Sequence, residues 1–224
     1  MKKDRPDQDR SLTEQTVDHI RNYILKRQIM PGDRLNVDGL ARMLNTSKTP
    51  VREALNVLSA ERLVVYRPRL GYSVQKLSAP EFIETSEIQQ AIETHILLKL
   101  AKRATPLDFN RLESINEEIA EAVASGDSMK IFDLNKAFHL VMYERCGNEK
   151  IVSELKRIWN ELLIHRYNMF ASTIFLARIA EDHRVIITAM RGRDPAEITS
   201  AVERHFENGN LGAVENSGQG QAGA

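Results

Sequence analysis

From residue 81 to about residue 209 the chain reads as one helical segment after another, and this succession constrains the fold more than any other feature. The segments fall near 81–104, 108–125, 128–146, 149–170, 172–192 and 195–208. Breaks stand at Thr105-Pro106, Ser125-Gly126, Gly147-Asn148 and Gly192-Arg193-Asp194-Pro195. Helices that follow one another so closely can bury their apolar stripes only against each other, so this half is expected to be an all-α bundle.

The front of the chain is built differently. Val17, Ile20 and Ile24 mark one face of a helix that stops near Met30-Pro31-Gly32-Asp33. Asn36 can cap a short second helix ending at Leu44, and a third runs from about Lys48 to Glu61, with Ser47 or Thr49 as its cap. Val64-Val65-Tyr66-Arg67 and Tyr72-Ser73-Val74-Gln75 then read as two short strands around the turn Pro68-Arg69-Leu70-Gly71. Three helices and a hairpin in so short a segment make a winged helix-turn-helix. The expected layout is an arm over residues 1–10, the winged domain over 11–78, the helical domain over 79–210 and a disordered tail over 211–224.

A net charge of zero conceals an asymmetry. Residues 1–78 hold 15 Lys and Arg against 9 Asp and Glu, whereas the remainder holds 16 against 22. A basic front half and an acidic back half place any polyanion partner at the front. The single cysteine, Cys146, rules out a disulfide within the chain and fits a reducing compartment. No apolar run reaches membrane length, and the charged N-terminus leads into no apolar secretion signal, so the cytoplasm is the expected location.

The third helix carries the sharpest signal in the front half. Val51, Ala54, Leu55 and Leu58 form its inner stripe, while Lys48, Arg52 and Asn56, four apart, form a second stripe that faces elsewhere. Arg and Asn can make two-point contacts to base edges, and a free helix N-terminus favours phosphate. Pro31-Gly32-Asp33-Arg34-Leu35, Leu40-Ala41, Ser47-Lys48-Thr49-Pro50-Val51-Arg52-Glu53-Ala54-Leu55 and Gly71-Tyr72-Ser73-Val74 together resemble the DNA-binding domain of the GntR superfamily of transcription regulators. The resemblance implies double-stranded operator DNA as partner, with Ser47, Lys48, Thr49, Arg52, Arg69 and Gly71 as contacts; Asn56 joins them from the stripe. Lys48 stands where the family usually has arginine, which keeps the charge and loses the planar fork.

In the back half, Asn135 and His139 share a helix face, and His183 and His205 sit on segments that the turn at Gly192 to Pro195 makes antiparallel neighbours. A common centre of three imidazoles and one oxygen suits a first-row divalent metal: zinc first, with nickel, manganese and iron as alternatives. His165 shows no comparable pattern. Asp133-Leu134-Asn135-Lys136-Ala137-Phe138-His139, Cys146-Gly147-Asn148, Glu181-Asp182-His183 and Arg204-His205-Phe206 resemble the FCD domain, the ligand-binding half of FadR-like GntR regulators.

That resemblance implies a metal held by Asn135, His139, His183 and His205, a small organic acid as effector, and a homodimeric repressor. Two positions depart from it: Asn135 replaces a common aspartate, and Gln89 replaces a common arginine that helps to hold the effector's carboxylate. Gln89 is therefore expected to meet the effector through an amide without charge. A metal-dependent enzyme and a metal-stabilised dimerisation module are the alternative readings. No HExxH, Gly-rich phosphate loop or nucleophile elbow supports the enzyme, and Asn135 is a poor activator of water.

Overall fold

The computed structural model describes residues 10–26, 28–163, 166 and 173–217. The expectations for the arm over residues 1–9, for His165 and for residues 218–224 lie outside the described residues. The chain divides into two compact units, Met1–Lys76 and Leu77–Ala224.

The first unit opens with α1 (Leu12–Leu25), started by a capping box in which Ser11 and Glu14 satisfy each other's backbone N–H groups. Its buried face is Val17, Ile20 and Ile24, with Thr16 beside them. Asn36 caps α2 (Val37–Met43) by accepting from the Gly39 N–H at 2.9 Å. Then α3 (Lys48–Ala60) lays Val51, Ala54, Leu55 and Leu58, all fully buried, against α1. Each large apolar side chain buried there stabilises the unit by about 1.5–3 kcal/mol.

A three-stranded antiparallel sheet completes the unit, in the order β1 (Arg34–Leu35), β3 (Gly71–Val74), β2 (Val64–Arg67). The β2–β3 hairpin matches the wing expected from sequence, and β1 is an addition to it. Two residues carry no readable period, and β1 exists because Arg34 and Leu35 pair with Ser73 and Tyr72 of β3. Gly71 lies at φ +81°, a conformation that L side chains rarely adopt, and this allows the wing to turn.

Among its described residues the second unit's regular elements are all helices: α4 (Ala79–Ala101), α5 (Pro106–Ser125), α6 (Ser128–Glu144), α7 (Glu149–Glu161), α8 (Thr173–Gly192) and α9 (Pro195–Ser217). Capping boxes at Ser78/Glu81 and Thr105/Asp108 begin α4 and α5, each with proline in the first turn, and left-handed Gly126 ends α5. Helix α5 packs on α6 and α8, and α9 packs on α8 and α4.

Two boundaries differ from the sequence reading. Helix α7 ends at Glu161, where Leu162 bends, within the segment expected to run to about residue 170; beyond the bend Leu163 and Arg166 are helical, and 164–165 and 167–170 lie outside the described residues. Helix α9 runs to Ser217, which corrects the expected tail: residues 211–217 are helical. The segment holds weak helix formers, Gly212 and Asn216, and is too short to show an inner stripe, yet it extends a helix that α4 and α8 already anchor.

Candidate nucleic-acid interface and metal centre

In the first unit, α3 buries one stripe and leaves Ser47, Lys48, Thr49, Arg52 and Asn56 exposed on its other faces. Ser47 occupies the N-cap position without making a side-chain capping bond, so its hydroxyl stays available to an outside acceptor. Lys48 pairs with Asp38 at 3.0 Å, but both side chains are more than half exposed, and such pairs exchange readily for a phosphate. Among the described residues Arg52 has no hydrogen-bond or ion-pair partner. Asn56 accepts a hydrogen bond from the Tyr72 hydroxyl at 2.6 Å, which ties this helix to the wing. At the wing's turn Arg69 is exposed with φ +68°, beside Gly71.

The second unit gathers its histidines. His139 comes from α6, His183 from α8 and His205 from α9, and one ligand atom of each lies within 4.8 Å of the others. Ring centroids stand 5.6 Å apart for His139 and His183, 5.2 Å for His139 and His205, and 5.1 Å for His183 and His205. Asn135 sits one turn before His139 and is buried with it. A flat stack on Phe138, 3.9 Å between centroids and 4° between planes, holds the His183 ring. Between α8 and α9, Asp182 accepts hydrogen bonds from Arg204 at 3.1 Å and Asn208 at 2.7 Å, fixing the two helices on either side of His183 and His205.

Both ring nitrogens of His183, Nδ1 of His205 and Oδ1 of Asn135 are buried with no hydrogen-bond partner in the structure. A buried polar atom left unsatisfied costs about 1–3 kcal/mol. Four such atoms on three converging side chains, all lone-pair donors or convertible to them, are the chemistry of a cation site. For tetrahedral zinc–nitrogen bonds of about 2.0–2.1 Å, neighbouring ligand atoms sit roughly 3.4 Å apart, so the present spacing needs only a small inward turn. The residues fit a first-row divalent ion.

Behind the cluster lies a buried network that sequence reasoning did not find. Glu93 is 2 % exposed, and its Oε2 pairs with His139 Nδ1 at 3.1 Å, leaving Nε2 of His139 to face His183 and His205. Its Oε1 accepts from Tyr143 and from Gln89. Burial pushes the Glu93 carboxyl up, but His139 and the hydrogen bonds from His139, Tyr143 and Gln89 more than reverse this, to about 2. Burial, then the Glu93 charge, raises the Tyr143 phenol well above its ordinary value, so it remains a donor. The only available signals were the i, i+4 pairs Gln89/Glu93 and His139/Tyr143.

The cavity in front of the cluster measures about 30 Å³ and is lined by Phe82 and Ser86 of α4, Asn135 and His139 of α6, Phe175 of α8, and His205, Phe206 and Asn210 of α9. That is room for roughly two water molecules. Gln89 does not line it, contrary to the expectation that its amide meets an effector. Its amide is engaged in the wall: the NH2 donates to Glu93 and to Tyr143, and Oε1 accepts from Arg166 Nη2 at 2.6 Å. Arg166, which does line the cavity, sits over the Trp159 ring with its guanidinium carbon 4.1 Å from the centroid.

Comparison with known proteins gives two family matches: "Bacterial regulatory proteins, gntR family" over residues 12–74 and "FCD domain" over residues 84–208. The chain is similar to the HTH-type transcriptional regulator McbR of Escherichia coli K12, 24% identical over 186 residues, 82% of this chain and 84% of that protein. It is 30% identical over 169 residues to a probable D-xylose utilization operon transcriptional repressor of Paenarthrobacter nicotinovorans, covering 74% of this chain and 73% of that protein. The solved structure of E. coli McbR/YncC superposes with a TM-score of 0.78 at 21% identity, over 93% of this chain and 99% of that one.

The histidine cluster dictates a pH response. Burial lowers the pKa of His183 well below the ordinary histidine value, helped by His205 and His139; burial, then His139, lowers His205 to about 3. Both are neutral when folded and take up protons when unfolded below ~6.5, so stability is lost as pH falls through that value. Chelator-treated protein should lose up to about 1.4 kcal/mol per pH unit for each histidine once well below ~6.5. The loss should already be under way between about pH 7 and 5.5, before Glu93 contributes. Urea unfolding of wild type and His205→Gln across that window checks this: the variant should show the shallower slope, and equal slopes would contradict the assignment.

Proposed function

The chain belongs to the gntR family of bacterial regulatory proteins and carries an FCD domain; it is a DNA-binding transcriptional regulator, not an enzyme, and we propose that it is a repressor whose grip on its operator is controlled by a small organic acid bound at a divalent metal in the helical unit. The observation that carries this reading is the convergence of His139, His183 and His205, with both ring nitrogens of His183 and Nδ1 of His205 satisfied by no protein group.

The ligands are Nε2 of His139, one nitrogen each of His183 and His205, and Oδ1 of Asn135. Bound there, the metal supplies a Lewis-acid centre with open positions for an anionic oxygen. Because three imidazoles and an amide are all neutral, Glu93, acting through His139, brings a buried negative charge to the ligand set. It holds the ring in one tautomer and strengthens Nε2 as a donor. Phe82, Phe175 and Phe206 give the cavity apolar walls beside the histidines.

In the first unit Arg52 and Asn56 read bases, Ser47, Lys48 and Thr49 meet phosphate at the start of α3, and Arg69 and Gly71 bring the wing to the backbone. A reader of this size spans a short half-site, so the protein works as a two-fold homodimer on a pseudo-palindromic operator, in the cytoplasm where the DNA is. Arg52→Ala should cost about 1–3 kcal/mol of operator affinity while sedimenting as the same dimer. Unchanged affinity in a folded variant would contradict the placement of α3.

Metal binding is tested by stripping the protein, reloading it with zinc, nickel and manganese in turn, and measuring metal per chain and melting temperature. One metal per chain, a melt lowered by chelation, loss of metal in His205→Ala and tighter metal in Asn135→Asp are expected. Retained operator binding by the metal-free protein is expected too. No metal above background would contradict the site.

A further inference from the structure

One of the side chains proposed to read bases, Asn56, is held by the wing. Tyr72 lies on β3, the middle strand of the sheet, where it pairs with Leu35 of β1 on one side and Tyr66 of β2 on the other. The two tyrosine rings pack across the ladder, 4.8 Å between centroids and 48° between planes. A ring on a central strand, packed against its cross-strand neighbour, has little freedom to move its hydroxyl. That hydroxyl donates to Asn56 Oδ1 at 2.6 Å, reaching from the wing to the exposed side of α3.

The bond decides which end of the Asn56 side chain is left to meet DNA. A side-chain amide carries an acceptor oxygen and a two-donor NH2 group on different corners of one plane. With Oδ1 held by Tyr72, the NH2 group is turned away from that hydroxyl, and among the described residues it makes no hydrogen bond. Two-point recognition of adenine needs both ends at once, the oxygen accepting from N6 while the NH2 donates to N7. An amide whose oxygen is committed to the protein meets a base edge with donors alone. Guanine answers donors with two acceptors, N7 and O6, and presents no donor of its own on that edge.

We infer that Tyr72 is a positioning residue that sets base specificity: by holding Oδ1 it makes Asn56 select a guanine edge over an adenine edge, without touching a base itself. This deepens the proposed reading of Asn56 as a base contact and rests on it. Base choice at that position is then a joint property of α3 and the wing, and a change on the wing alone alters what the helix reads.

The test selects binders from duplex DNA randomised across two half-sites, using full-length wild type, Tyr72→Phe and Asn56→Ala, and then measures affinity for the selected duplex with each base pair replaced in turn. Wild type should prefer guanine to adenine by roughly fivefold or more at one position of each half-site, the position where Asn56→Ala loses its preference. Tyr72→Phe should reverse that order, because the freed Oδ1 can accept from adenine N6. Phenylalanine keeps the ring beside Tyr66 and removes only the hydroxyl, so preferences at all other positions should stay as in wild type and report an intact unit. An adenine preference in wild type at that position, or the same order of bases in Tyr72→Phe, would overturn the inference and leave Asn56 as a base reader. A loss of affinity in Tyr72→Phe that is uniform across positions, with no change in base order, would mark the hydroxyl as a structural tie and overturn it too. Preferences unchanged at every position in Asn56→Ala would instead contradict the placement of Asn56 at a base edge, and the inference with it.

Discussion

Three imidazoles buried together, with nitrogen lone pairs facing one another and no protein donor between them, are an expensive arrangement for a helical bundle to keep. The rest of the second unit is arranged around that cost. Helices α6, α8 and α9 each contribute one ring, Phe138 lies flat against His183, and Asp182 joins α8 to α9 beside two of the three rings. Glu93 takes up the outer nitrogen of His139 and leaves the inner one to the cluster. On the proposed reading, a divalent cation would turn the same atoms from a liability into a joint that ties three helices together.

The ligand set that faces this joint is neutral, and its charge compensation comes from further out. Glu93 is held ionised by His139, Tyr143 and Gln89, so its negative charge acts through a ring and not directly. Gln89 serves two sides of the wall at once, donating to Glu93 and accepting from Arg166. One amide thus separates a buried anion from a buried cation and keeps both in place.

Much of the candidate site was legible in the sequence because helical spacing is local. Asn135 and His139 are one turn apart, and the short Gly192 to Pro195 turn makes neighbours of His183 and His205. The winged unit was legible for the same reason: the stripe Val51, Ala54, Leu55 and Leu58 separates the buried face of α3 from its exposed face. The pairings that joined distant segments could not be read. Glu93 meets His139 from 46 residues away, and Arg166 meets Gln89 from 77, with no period to announce either contact. The two-residue strand β1 and the last turns of α9 escaped for a related reason, since partners elsewhere in the fold stabilise them and their own composition does not.

The central claim is that histidine nitrogen from α6, α8 and α9 binds one metal ion. X-ray absorption at the zinc edge of the zinc-loaded full-length protein tests it most directly, because scattering from imidazole rings is distinctive. The account predicts three imidazole nitrogens and light oxygen donors at about 2.0–2.1 Å, with the imidazole signature reduced by one ring in His205→Ala. An all-oxygen shell, a sulfur neighbour at about 2.3 Å, or an imidazole count unchanged by that substitution would contradict it.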